Sequence, residues 1–122
     1  MKNLPSKELF NEVLKEYKFP FSYEYNRYND CTKKIYFYIN SDLKIDFFSI
    51  SIYELAHKFK EWAFDNFYLS IIVFKINDNL YKCEIADIRD SLGEWSTKHS
   101  FKIDSETEAI YQATQWIADN KD

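Results

Sequence analysis

Ser51 and Glu54 stand three residues apart at the head of a run in which Ile52, Leu55, Ala56, Phe59, Trp62 and Ala63 recur on one side of a helix. Ser105 and Glu108 repeat the arrangement ahead of Ala109, Ile110, Ala113, Trp116 and Ile117. A serine hydroxyl that takes an unpaired N–H of the first turn, with a glutamate three positions on, fixes where a helix begins. Two helices follow, one over about 52–65 and one from Ser105 to about Asn120. A third, about 6–18, opens at Ser6 and carries Leu9, Val13, Leu14 and Tyr17 at helical spacing until Pro20 bars continuation.

The intervening segments alternate with period two. Phe21, Tyr23 and Tyr25 alternate with polar residues, Asn29-Asp30 supplies a turn, and Ile35, Phe37 and Ile39 alternate with Tyr36 and Tyr38, which predicts a hairpin over 21–40. Leu43, Ile45 and Phe47 make a third strand. Phe67 to Ile76 is almost continuously apolar, the pattern of a strand buried on both faces in mid-sheet. Asn77-Asp78-Asn79 turns it into Leu80 to Ile88. Beyond Gly93, Trp95, Thr97, His99, Phe101 and Ile103 face one way and Ser96, Lys98, Ser100 and Lys102 the other. The order α-βββ-α-βββ-α, with strands meeting at short polar turns, predicts an α+β fold: one domain over 1–122, a mostly antiparallel sheet with helices packed on it, anchored by Phe59, Trp62 and Trp116. Glu8-Leu9 with Lys15-Glu16-Tyr17-Lys18-Phe19 echoes Glu54-Leu55 with Lys60-Glu61-Trp62-Ala63-Phe64. A duplication of 1–50 and 51–122 is left open by that echo.

Chemistry is constrained by what the chain lacks. Gly93 is the sole glycine, so neither a phosphate-cradling glycine loop nor a nucleophile elbow can form. Cys31 and Cys83 have no partner cysteine or histidine at metal-ligand spacing, so no metal and no cofactor is expected, and the chain does not read as an enzyme. His57 lies opposite the apolar stripe of its helix and reads as solvated. His99, on an apolar strand face, reads as a general base or, more plainly, as a histidine satisfied by a nearby hydroxyl or carbonyl. MKNLPSKELF contains no apolar signal core, and the longest uncharged apolar stretch falls well short of the ~20 residues that cross a bilayer. A soluble cytoplasmic protein with free thiols and no membrane partner is the expectation.

Lys plus Arg number 16 and Asp plus Glu 20, and all of the excess negative charge lies beyond residue 65. An acidic half repels phosphate backbones, which argues against double-stranded nucleic acid. Asp87, Asp90, Glu94, Glu106 and Glu108 form a candidate acidic surface: a solvated face with helix-cap charges, or a mimic of a nucleic-acid backbone. Tyr23, Tyr25, Tyr28, Tyr36 and Tyr38, interleaved with Arg27, Lys33 and Lys34, form the candidate binding surface of the hairpin. It reads as plain fold surface, as a protein-contact face or as a platform for stacked bases of a single strand. Phe, Tyr, Ile, Asn and Lys supply 57 of the 122 residues while Gly, Ala, Arg and Pro supply 11. That is the signature of AT-rich coding, so part of the aromatic content reflects codon bias.

The segments Ile50–Ala63 and Glu106–Ile117 resemble a pattern in small uncharacterised α+β proteins of phages and prophages of low-GC bacteria, over roughly residues 50–119. The resemblance implies a mobile-element origin and carries no catalytic residue. The second half also has the element order of double-stranded RNA-binding domains. Those domains grip phosphates with bases at the start of the last helix, where this chain reads Asp104-Ser105-Glu106-Thr107-Glu108. The expected function is therefore a non-catalytic protein-interaction or regulatory protein, monomeric or homodimeric. The alternatives are an acidic mimic that inhibits a host defence nuclease and a single-strand binder working through the tyrosine hairpin.

Overall fold

The computed structural model describes residues 5–15, 25–40, 45–87 and 96–120, with the backbone alone for Tyr25, Ile39, Asn40, Ile45, Asp46 and Ser96. The elements follow the expected order: α1 (Lys7–Val13), β1 (Tyr25–Asn29), β2 (Lys34–Asn40), β3 (Ile45–Ser51), α2 (Ile52–Phe67), β4 (Leu69–Asn77), β5 (Leu80–Asp87), β6 (Ser96–Ile103) and α3 (Glu106–Asp119). Strands divide into two antiparallel sheets of three, in the orders β1-β2-β3 and β4-β5-β6. Each sheet follows its own helix, and α3 closes the chain.

All three helices begin where a serine caps them. Ser6 Oγ accepts from Leu9 N at 3.3 Å, Ser51 Oγ from Tyr53 N and Glu54 N at 3.2 Å each, and Ser105 Oγ from Glu108 N at 3.4 Å. Each bond satisfies amide donors that the first turn leaves without a helical partner.

The buried faces meet in one core. Ile35, Phe37 and Ile50 of the first sheet and Ile71, Cys83 and Ile85 of the second join Leu9, Phe10, Leu55, Phe59, Trp62, Ala109 and Ile117 of the helices. A chain of rings threads it: Phe37 to Phe10 at 5.0 Å, Phe10 to Phe59 at 6.0 Å and Phe59 to Tyr111 at 5.3 Å between centroids. The first and last of these are edge-to-face, a geometry that adds ~0.5–1.5 kcal/mol per pair beyond buried area. Trp62 is buried as expected, whereas Trp116 is half-buried at the margin.

Several expectations are corrected. Helix α1 stops at Val13, with Leu14 as its cap donating its N–H to Phe10 O; Tyr17, like all of 16–24, lies outside the described residues. Helix α2 runs to Phe67, because the turn to a strand is made by Tyr68 in the left-handed region, φ 55°. The apolar run that follows is an edge strand, not a central one: β5 holds the middle of the second sheet, and Phe74 and Ile76 are exposed. In β3 it is Phe48 and Ile50 that face inward, opposite Phe37 and Ile35, so Phe47 points out. On β6 the register shifts between Ile85 and Ala86, whose partners are His99 and Thr97. The skipped Lys98 is an extra residue, a bulge that flips the alternation. Lys98 therefore joins the helix side, lining a cavity with Trp116 and Asn120, and Thr97 turns away.

Candidate binding face

Strand β2 carries the site. Ile35 and Phe37 are fully buried, and side chains on a strand alternate, so Tyr36 and Tyr38 must stand on the opposite, outer face. Register places Phe47 across from Tyr38 and Arg27 and Ser49 on either side of Tyr36. Three rings gather there. Tyr36 and Tyr38 stack at 6.4 Å with 24° between planes, and Phe47 lies 5.7 Å from Tyr36 and 6.3 Å from Tyr38. Phe47 is 56% exposed and the tyrosines are half-buried by one another. The result is a continuous aromatic plate on the solvent side of the first sheet. At one end of this face stand Arg27 and Lys34, both exposed. Among the described residues the face carries no carboxylate.

The other hairpin candidates divide. Tyr25 pairs with Tyr38 in the backbone register; Tyr23 lies outside the described residues. Tyr28 belongs to the inner face, opposite Ile35, packed against the core, with its hydroxyl donating to Asp30 at 3.3 Å. Lys33 is committed within the turn, its ammonium 2.7 Å from Asp30. That hydrogen bond holds the Asp30 carboxyl below the usual carboxylate range and the Lys33 amine above its own. Asn29 Oδ1 accepts from Cys31 N and Thr32 N, and Lys33 takes φ 57°, which closes the loop.

Of the acidic candidates, Asp87, Glu106 and Glu108 are described, and these three do not form one cluster. Glu106 is exposed at the start of α3, while Asp87 ends β5 beside Lys98 and Asn120, near the helix's far end. Fourteen helical residues span ~20 Å, so these two charges lie at opposite ends of α3. Glu108 is buried in the first turn of α3, three residues after the capping Ser105. Asp90 and Glu94 fall outside the described residues. Of the histidines, His57 sits on the surface 2.8 Å from Glu61. The ring of His99 stacks on Trp116 at 4.7 Å and 5°.

A groove of about 380 Å³ opens between α2 and α3, lined by Ala56, His57, Lys60, Ser105, Glu106 and Ile110 among others. Its Ser105 hydroxyl caps α3, accepting from Glu108 N at 3.4 Å, and its His57 lies 2.8 Å from Glu61. Among the described residues no three His, Cys, Asp or Glu side chains converge as metal ligands, and no helix is long and apolar enough to cross a membrane. Phe47 is the member of the site that sequence reading missed. Its only signal is the adjacent Phe47-Phe48, in which one ring of the two must face outward. No protein-family model, no curated protein and no solved structure matches this chain.

Proposed function

We propose that the chain is a non-catalytic protein-interaction domain, from a mobile element as its amino-acid composition and helix pattern suggest, that docks its partner on the outer face of the first sheet. The observation that supports this is the plate of Tyr36, Tyr38 and Phe47. Large aromatic groups with few rotatable bonds are kept in water at a cost, and they are the residues that supply binding energy when a partner covers them. The rings lean on one another, so the cluster offers a pre-ordered aromatic surface. A protein surface fits that shape better than bases do, because stacking needs each ring face free.

Affinity capture from the native host tests the reading. The wild-type chain should retain a partner that the Tyr36→Ser/Tyr38→Ser chain loses, with the melting temperature nearly unchanged. A variant that unfolds would show that the plate is structural.

A second reading, single-stranded nucleic acid on the same face, draws on Arg27 and Lys34 and on the missing carboxylates. Binding of a thymidine oligonucleotide that weakens with salt, with a slope set by about two phosphate contacts, would favour it.

A further inference from the structure

We propose that the chain self-associates through the free edge of β4, pairing antiparallel with β4 of a second copy to join two three-stranded sheets into one of six. This inference is independent of the docking face on the first sheet.

β4 pairs with β5 on one side, and no described strand pairs with its other side. Soluble proteins guard such edges with charges, prolines or bulges, since an open edge is a template for another strand. β6, the opposite edge of the same sheet, is guarded: it carries the bulge at Lys98 and the exposed Lys102. β4 reads Leu-Ser-Ile-Ile-Val-Phe-Lys-Ile-Asn, with one charge and no proline. Of the six exposed large hydrophobic residues described, Phe74 and Ile76 lie on β4 and Phe64 and Tyr68 at its head, the latter two in ring contact at 6.3 Å.

A second copy fits this edge better than an unrelated strand does. The register shift between Lys75 and Asn77 ends the regular part of the strand, which leaves Leu69–Lys75 with Ile72 at its midpoint. A two-fold axis at Ile72 sets Ile72 against Ile72 and Phe74 against Ser70 of the second copy, all on the outer face of the sheet. It also brings Lys75 opposite Leu69 of the second copy. There α2 ends with exposed Asp65 and no basic residue in its last turn. Lys75, whose ammonium lies 3.4 Å from the solvent-exposed Asp78 of its own turn, can exchange that solvated partner for the negative end of a helix. Seven residues of strand span only ~24 Å, so the dimer is weak and concentration-dependent, at the low end of interface sizes.

Sedimentation equilibrium over a hundredfold range of concentration tests it. The wild-type mass should rise toward that of two chains. Ile72→Lys and Ile72→Glu should each remain monomeric, because like charges then face each other on the axis, and an equimolar mixture of the two should regain a heterodimer. Phe74→Glu, at an exposed position opposite Lys82 of β5, should weaken association without lowering the melting temperature. Tyr36→Ser/Tyr38→Ser should associate as the wild type does. A wild type that stays monomeric throughout, or a dimer indifferent to the Ile72 and Phe74 changes, overturns the proposal.

Discussion

The hydroxyl of Tyr111, in the middle of α3, donates to the carbonyl of Ile52, the first residue of α2, at 3.1 Å. Ile52 N in turn donates to Lys33 O in the β1–β2 turn at 3.0 Å. The last helix, the second helix and the first hairpin are thus tied at one point inside the core, where Tyr111 is fully buried. Tyr111→Phe keeps the ring and its contact with Phe59 but removes the donor. The expected cost is about 1 kcal/mol, the ordinary net value of one such bond, because the Ile52 carbonyl can still accept within the helix. Urea denaturation of the two chains measures it.

Cys83 is buried on β5 with its sulfur 3.8 Å from Ala109 O, and burial pushes the thiol up to about 12 from an ordinary 9.0. Burial likewise raises the Tyr111 phenol above its usual range. Both groups hold protons in the folded chain that the unfolded chain has already released. Their contribution to stability is complete below pH ~9 and declines as pH rises from there toward 12. A melting temperature that falls across that window, and falls less in Cys83→Ala, is the expected result. At neutral pH a thiol reagent should modify one cysteine per native chain, the exposed Cys31, and both in denaturant.

Local chemistry was legible in the sequence and non-local geometry was not. Capping depends on residues three apart, so Ser51 and Ser105 mark their helices without knowledge of the fold. The alternation of Ile35 and Phe37 with Tyr36 and Tyr38 likewise placed the plate's central strand. The end of α2 carried no signal, because a tyrosine occupies the left-handed cap where glycine or asparagine would have announced it. An apolar run states that a strand is apolar, not which neighbours it has, so β4 read as central although it lies at an edge. The bulge at Lys98, the outward turn of Phe47 and the stack of His99 on Trp116 depend on register between segments far apart in the chain.

That stack is open to measurement. His99 on β6 and Trp116 on α3 lie nearly parallel at 4.7 Å, with Phe101 5.7 Å from the histidine. It couples the edge strand of the second sheet to the last helix. A double-mutant cycle of His99→Ala and Trp116→Ala should return a coupling of ~0.5–1.5 kcal/mol, the range for ring pairs in contact. Additive losses would mean that each ring serves other neighbours alone.

The turn from α2 into β4 rests on Tyr68, whose φ of 55° places a side-chain-bearing residue in the left-handed region. Its N–H reaches back to Phe64 O at 3.0 Å, ending the helix and aiming the chain into the strand. A branch at Cβ is poorly tolerated in that conformation, while asparagine enters it readily. Tyr68→Val should therefore destabilise the fold by about 1–2 kcal/mol, and Tyr68→Asn, which keeps the left-handed conformation while losing the ring contact with Phe64, should cost less. If valine and asparagine proved equal in a thermal melt, the loss would lie in the missing ring and not in the backbone. The left-handed residue would then have no part in setting where β4 begins.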